Sequence, residues 1–191
     1  MDELTQYLRS KYCSGSKNYN KNELEEILNK KIIITENHIK NIVLYKYYFD
    51  FNIINLFEKY GYIFTNNDYI LLVKKDGYIL KYIPIDNQTD EIYTYAVKQN
   101  GNALQFIPID NQTDEIYTYA VKQTGHALQF IPEARKTKKI CEIAVRQDGQ
   151  ALCYVPDDKK TNELCIIAVK QSKLALPYVS KHKNEYLWIF N

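Results

Sequence analysis

Residues 83–99 read IPIDNQTDEIYTYAVKQ, and residues 107–123 repeat the same seventeen letters after a shift of 24 residues. The same shift continues in weaker form through the rest of the chain. Its markers are a glycine, a proline and an Ala-Val pair, found at Gly77, Gly101, Gly125 and Gly149, at Pro84, Pro108, Pro132 and Pro156, and from Ala96, Ala120, Ala144 and Ala168. A fixed period of about 20–50 residues is typical of stacked-repeat proteins, whose units bury their apolar faces on each other. The sequence therefore predicts a solenoid.

One repeat carries the signals that begin and end an α-helix. Thr113 is a hydroxyl N-cap, and Asp114 and Glu115 follow it in the first turn, where negative charge suits the helix dipole. Gly125 stands where a left-handed residue would end the helix. These signals predict a helix of about ten residues in each repeat.

The apolar residues of this helix indicate which face is buried. Ile116, Tyr119 and Ala120 fall at i, i+3 and i+4, which predicts one buried face. Tyr117 and Val121 form an adjacent stripe. A helix this short is marginal alone in water, so neighbouring repeats must cover it.

A short apolar piece follows the glycine. Ala127, Leu128 and Ile131 fit one or two helical turns, whereas Leu128 and Phe130 alternate as in a short strand. We favour the helix, because a glycine-broken turn between two helices forms an αα-hairpin. The predicted fold class is all-α, a short αα-repeat solenoid with a helical N-terminal cap. The alternative is a leucine-rich-repeat-like α/β array.

The repeats divide the chain into three predicted parts. They are an N-terminal helical capping region at 1–64, the repeat solenoid at 65–180 and a C-terminal cap at 181–191. The first long repeat helix is predicted at 65–75. Within the capping region we expect helices at about 2–12, 21–31, 36–48 and 51–60. The apolar tail is expected to close the last repeat with Leu187, Trp188, Ile189 and Phe190.

Composition limits the class of partner. The chain has 25 basic and 23 acidic residues, a formal net charge of +2. A nucleic-acid binder would normally show a basic excess, so nucleic acid is the less favoured partner. There is no apolar run of about 18 residues and no basic-then-apolar start, so we expect no membrane segment and a cytoplasmic location. The excess of Tyr, Asn, Ile and Lys is typical of AT-rich coding, which suggests a bacterial, phage or viral source and, for the latter two, the host cytoplasm.

Residues with catalytic or metal-binding potential are few. The four cysteines are Cys13, Cys141, Cys153 and Cys165, and the last three are twelve residues apart, without the short paired spacing of zinc sites. All four are interpreted as small buried hydrophobes. His126 follows the helix-ending glycine and is interpreted as an exposed turn residue. No nucleophile, phosphate-binding or metalloprotease motif is present. The sequence predicts a non-enzymatic protein with no cofactor, no metal and no small-molecule substrate.

The pattern AVKQxGxALxFIP at residues 96–108 and 120–132 resembles a known repeat family. It is similar to the tandem AVxxxGxxLxxxP repeats of proteins from bacteria, phages and large DNA viruses, a domain of unknown function. The resemblance covers about residues 65–180. It implies a helical repeat fold and supplies no catalytic residues.

Two rows of polar residues repeat with the helices and are candidates for function. One is basic, and the loop in the third repeat adds a local basic run. The candidate partner-binding residues are therefore Lys98, Lys122, Arg146, Lys170, Arg135, Lys136, Lys138 and Lys139. The other row is Gln99, Gln123, Gln147 and Gln171, for which we expect side-chain bonds between repeats.

These features favour a repeat protein that binds another protein through the side or groove of the solenoid. A narrower hypothesis is a viral or phage factor that binds and inhibits a host defence protein. The alternative is a nucleic-acid-associated protein that uses the basic loop at 135–139, with an affinity that falls steeply with salt.

Overall fold

The computed structural model describes residues 2–13, 21–30, 33–44 and 52–179. Across these residues every regular element is helical, and no strand is found among them. The predicted all-α fold class is confirmed, and the α/β alternative lacks the strands it needs. The chain divides into two compact units, residues 1–92 and 93–191.

The structure describes five α-helices in the first unit. They are α1 Glu3–Cys13, α2 Lys21–Leu28, α3 Glu36–Leu44, α4 Ile53–Lys59 and α5 Asn66–Lys75, and two 3-10 helices follow at Gly77–Tyr82 and Ile85–Asn87. α1 packs on α2 and α3, and α3 packs on α5. The four predicted capping helices are present, although α2 ends at Leu28 rather than at residue 31. The predicted extension of α3 to residue 48 and the predicted C-terminal cap at 181–191 lie outside the described residues.

The loop between α4 and α5 shows two helix-ending devices. Gly61 has a φ of 85°, and the N–H of Tyr62 donates to the Phe57 carbonyl at 3.0 Å, which closes α4. Thr65 then caps α5, because its hydroxyl accepts from the Asp68 N–H while the Asp68 side chain accepts from the Thr65 N–H. The first repeat helix therefore begins where the sequence predicts.

The second unit is built from the repeat. α6 Asp90–Gln99 spans the division between the units, and α7 Asp114–Gln123, α8 Lys138–Gln147 and α9 Asn162–Gln171 follow. Each is followed by a six-residue 3-10 helix, at Gly101–Phe106, Gly125–Phe130, Gly149–Tyr154 and Lys173–Tyr178. One-turn 3-10 helices lie in the return loops at Ile109–Asn111, Glu133–Arg135 and Asp157–Lys159. Thus the short helix predicted after the glycine is present as a 3-10 helix.

Two layers form this unit. From α7 to α9, successive α-helices pack on each other, and each also packs on the 3-10 helices before and after it. The successive 3-10 helices from Gly101–Phe106 to Lys173–Tyr178 also pack on each other. α7 buries Ile116, Tyr117, Ala120 and Val121 between the layers. The expectation that Tyr119 lies on the buried face is wrong, because Tyr119 is only half-buried on the opposite side of the helix.

The 3-10 helices start with a cap that the sequence analysis missed. The side chains of Asn100, Asp148 and Ser172 each accept a hydrogen bond from the backbone N–H two residues later. The side chain of Asp76 does the same in the first unit. Short polar side chains suit this role because they bond readily to nearby backbone. These residues therefore end one helix and begin the next.

The array glycines do not end helices in the way the sequence predicts. Among the described glycines, Gly61 has a positive φ, whereas those of the array do not. A Cβ on Gly125 would lie 2.5 Å from the Ala144 carbonyl oxygen, and one on Gly149 would lie 2.5 Å from that of Ala168. The glycine is therefore required because the next repeat's helix comes too close for a side chain.

Candidate interaction surface

The outward helix face is the side of α7, α8 and α9 that points away from the 3-10 layer. Because successive helical residues turn by about 100°, the side opposite the buried residues carries the second, fifth, sixth and ninth positions of each helix. These are Glu115, Thr118, Tyr119 and Lys122 in α7, Lys139, Glu142, Ile143 and Arg146 in α8, and Glu163, Ile166, Ile167 and Lys170 in α9.

A row of cations runs along this face at the ninth position of each helix. The cation row consists of Lys98, Lys122, Arg146 and Lys170, and all four are exposed. The Lys98 Nζ lies 3.9 Å from the ring centroid of Tyr119 in the next repeat. The Arg146 Nη2 lies 2.8 Å from Glu142 Oε1 on its own helix. A cation in the last turn of a helix also interacts favourably with the helix dipole. Each member of the row therefore stabilises its own helix while its side chain remains exposed to solvent.

Two members of the row are not held by an acidic neighbour. Within the part of the chain that the structure describes, Lys122 and Lys170 form no ion pair. Their ammonium groups are therefore available to a partner without breaking an internal contact. The predicted role of the row in partner binding stays a prediction.

Apolar side chains lie beside the cation row, and the sequence analysis missed them. Ile143 of α8 and Ile166 and Ile167 of α9 are half-buried on the outward helix face, where Tyr119 and Thr118 stand in α7. A groove of about 130 Å³ opens here, lined by Lys138, Glu142, Lys159, Thr161, Glu163, Leu164 and Ile167. A helix pattern with isoleucine opposite the buried stripe would have indicated this feature.

The basic loop of the third repeat is largely used within the array. The Arg135 guanidinium lies 2.7 Å from Asp114 Oδ1, at the start of the preceding repeat's helix. The Lys136 Nζ donates to the Tyr154 carbonyl at 2.9 Å, at the end of the next 3-10 helix. These cations therefore join the third repeat to its two neighbours.

The remaining two cations of this region differ in placement. Lys138 opens α8 and lines the groove of the outward helix face. Lys139 is exposed on the same face, at the position that Glu115 holds in α7. The eight predicted residues thus separate into an exposed set on the outward helix face and two loop cations bonded to neighbouring repeats.

The glutamine row connects the repeats, as predicted. Gln123 Nε2 donates to the Gln99 carbonyl at 3.1 Å, and Gln171 Nε2 donates to the Gln147 carbonyl at 3.2 Å. Gln147 Nε2 donates to the Gln123 carbonyl at 3.3 Å, while its Oε1 accepts from the Gly125 N–H. Gln123, Gln147 and Gln171 each satisfy a carbonyl at the end of the preceding helix, which has no partner within that helix.

The histidine and cysteines have structural surroundings. His126 lies in a 3-10 helix, half-buried, with Nδ1 3.0 Å from Asp148 Oδ2 and its ring edge-on to Tyr154, so it is not an exposed turn residue. Cys141 and Cys165 are buried, as predicted, and burial raises the pKa of the Cys141 thiol, whereas Cys153 is only half-buried. Among the described residues no three His, Cys, Asp or Glu side chains are grouped to hold a metal ion.

The 3-10 layer carries a second repeated feature outside the predicted site. Half-exposed aromatic side chains recur every 24 residues on it, at Phe106, Phe130, Tyr154 and Tyr178. Tyr178 is 42% exposed. An aromatic residue two positions before each repeat proline is the sequence signal that could have found them.

Three segments of the chain match the family described as Domain of unknown function (DUF4116), at residues 69–112, 113–158 and 137–182. Together they span more than half of the chain. The chain belongs to this family. The DUF4116 matches fall on α5 to α9, the helices whose glycines, prolines and Ala-Val pairs carry the 24-residue period.

Other comparisons add no relative. No curated protein and no solved structure matches the chain. Within the described ranges, no helix has both the length and the apolar content needed to cross a membrane.

Proposed function

We propose that this DUF4116 protein is a non-enzymatic repeat protein that binds another protein through the outward helix face. The observation that carries the proposal is the pairing of Ile143, Ile166 and Ile167 with a row of exposed cations on the solvent side of the array. These half-buried side chains lie on the face opposite each helix's buried stripe, outside the layer of fully buried residues. A contiguous apolar patch rimmed by charge is typical of a protein–protein interface.

The competing polar features support this choice of surface. The glutamine row, the array glycines and the loop cations Arg135 and Lys136 all form contacts between repeats. Nucleic acid is less favoured, since Arg135 and Lys136 of the basic loop, which would meet phosphates, are bonded to Asp114 and to the Tyr154 carbonyl. Residues 77–179 also hold twelve basic and twelve acidic residues.

The narrower hypothesis concerns the role of such binding. A viral or phage factor that inhibits a host defence protein in the host cytoplasm remains a proposal from composition and from the family resemblance. Identification of the captured partner would test it directly.

The test is affinity capture from the source cell, with variants that separate the two layers of the array. Lys122→Gln with Lys170→Gln removes two charges from the outward helix face. Gln105→Glu with Gln129→Glu changes the net charge equally on exposed residues of the 3-10 layer. We expect a stoichiometric protein to be retained by the wild-type chain and the control, and lost with the lysine variant.

Two results would contradict the proposal. One is equal retention of the same protein by both variants, which would place the interface elsewhere. The other is recovery of nuclease-sensitive nucleic acid with no stoichiometric protein, which would favour the alternative function.

A further inference from the structure

The arrangement of charged and apolar side chains on the outward helix face limits which partners can bind it. In α7 and α9 an acidic first turn leads to half-buried side chains and then to a cation, whereas α8 opens with Lys138 and Lys139 and has its acid, Glu142, beside Ile143. In α9 these are Glu163, then Ile166 and Ile167, then Lys170. A partner lying across the C-terminal halves of the helices would meet apolar side chains on one edge and a row of cations on the other.

The charge of the row defines the complementary edge of the partner. Lys122 and Lys170 form no ion pair among the described residues, and Arg146 is held only by Glu142 at the exposed surface. Carboxylates of a partner would pair with these cations at little cost in internal contacts. Exposed pairs of this kind are each weak, so several in a row are needed for specificity.

The 24-residue repeat sets the distance between neighbouring cations of the row. Packed helices lie about 8–10 Å apart, so one cation recurs at about that distance. A polyproline II segment rises about 3.1 Å per residue, so three residues cover about 9 Å and every third side chain lies on the same edge. An extended chain of this kind therefore matches the row with one acidic side chain per repeat.

We infer, on the basis of the proposed function, that the outward helix face binds an extended acidic segment of a partner protein, with an acidic residue at every third position and apolar residues between them. The carboxylates pair with Lys122, Arg146 and Lys170. The apolar side chains cover Ile143 on α8 and Ile167 in the groove.

The test uses the full chain and fluorescent twelve-residue peptides made of four Glu-Leu-Pro units. Peptides of four Ser-Leu-Pro units and four Lys-Leu-Pro units are the matched controls. Fluorescence anisotropy at low salt should show the Glu peptide binding about tenfold more tightly than the Ser peptide, with no binding of the Lys peptide.

Charge reversal of the face should exchange these preferences. With Lys122→Glu and Lys170→Glu, we expect the Lys peptide to bind and the Glu peptide to lose at least tenfold in affinity. In an otherwise wild-type chain, Ile143→Ser with Ile167→Ser should weaken the binding of both the Glu peptide and the Ser peptide. Circular dichroism would confirm that each variant is folded.

Several outcomes would overturn the inference. Equal affinity for the Glu and Ser peptides, or no exchange of preference on charge reversal, would overturn it. So would equal affinity for a peptide of the same composition whose four Glu residues lie in one block. Binding of a twelve-residue oligo(dT) at least as tightly as the Glu peptide would overturn it as well. Capture of a partner through the outward helix face without binding of the Glu peptide would overturn this inference alone. Binding of the Glu peptide without capture of any protein would contradict the proposed function alone.

Discussion

The glutamine row and the cation row are neighbours in sequence and differ in use. Gln123 and Gln147 bond to backbone groups of the adjacent repeat, whereas Lys122 and Lys170 face solvent. Both rows repeat every 24 residues with equal regularity. Regular recurrence therefore shows that a position belongs to the repeat, and only the contacts show whether it serves the packing or remains available to a partner.

The largest effect that sharpens this comparison is expected at the glycine that the glutamine row covers. Gly125→Ala would place a Cβ 2.5 Å from the Ala144 carbonyl oxygen, so the repeats must separate. We expect a loss of about 3 kcal/mol in the free energy of unfolding, measured by urea denaturation.

Lys173→Ala is the matched control for this substitution. Lys173 already carries a side chain at the glycine position, so its truncation should change stability by less than about 0.5 kcal/mol. Equal stability of Gly125→Ala and the wild-type chain would rule out the close approach as the reason for the glycine.

Next in size is the glutamine row itself. Gln147→Ala removes the acceptor for the Gly125 N–H and the donor to the Gln123 carbonyl, which we expect to cost about 1–2 kcal/mol. Lys122→Ala, in the cation row, should cost less than about 0.5 kcal/mol. The same urea titrations measure both, and similar losses for the two variants would remove the distinction between the rows.

A third test uses α5, the first repeat helix, where Lys75 occupies the position that Gln99 holds one repeat later. Burial lowers the pKa of Lys75 to about 8, below its usual 10.5. From pH 8 to 10 the unfolded chain retains a proton that the folded chain has lost, so this residue makes the folded state more stable as the pH rises. Below pH 8 the charged form destabilises the folded state.

Lys75→Gln should therefore raise the Tm at pH 7, and its advantage over the wild-type chain should shrink between pH 8 and 10. Thermal melts followed by circular dichroism across this range measure the difference. A constant difference in Tm across the range would show that the titration of Lys75 is not linked to folding.

The smallest effect is expected for Arg135, the loop cation that is paired with Asp114 of the neighbouring repeat instead of facing a partner. The Arg135–Asp114 pair is exposed, so a double-mutant cycle with Arg135→Ala and Asp114→Ala should give only a small favourable coupling at low salt. High salt should reduce it. Coupling that is absent at low salt would return Arg135 to the residues available for a partner.

The fold could be predicted well from the sequence because its signals are local. The threonine caps, the apolar period and the 24-residue repeat located α5 to α9 within a residue or two. The 3-10 geometry was not predicted, since six residues with a three-residue spacing fit an α-turn equally well. The residue that caps it, such as Asn100 or Asp148, is also a plausible helix end.

The candidate site could be predicted only in part. Lys122 and Lys170 were found because their charge repeats, and both are exposed. Ile166 and Ile167 were missed because an apolar residue on a helix is assigned to the core by default. Arg135 and Lys136 are among the residues predicted to bind a partner, because the sequence of a charged loop does not show which neighbouring residues its cations contact.

The amino-acid sequence alone predicts the α-helices of the repeats and their threonine caps, because each depends on residues only a few positions apart. Packing between the repeats determines why the array glycines are needed, which polar row joins the repeats and which cations remain exposed. Those outcomes depend on distances between residues about 24 positions apart, which are set by how closely one repeat packs on the next.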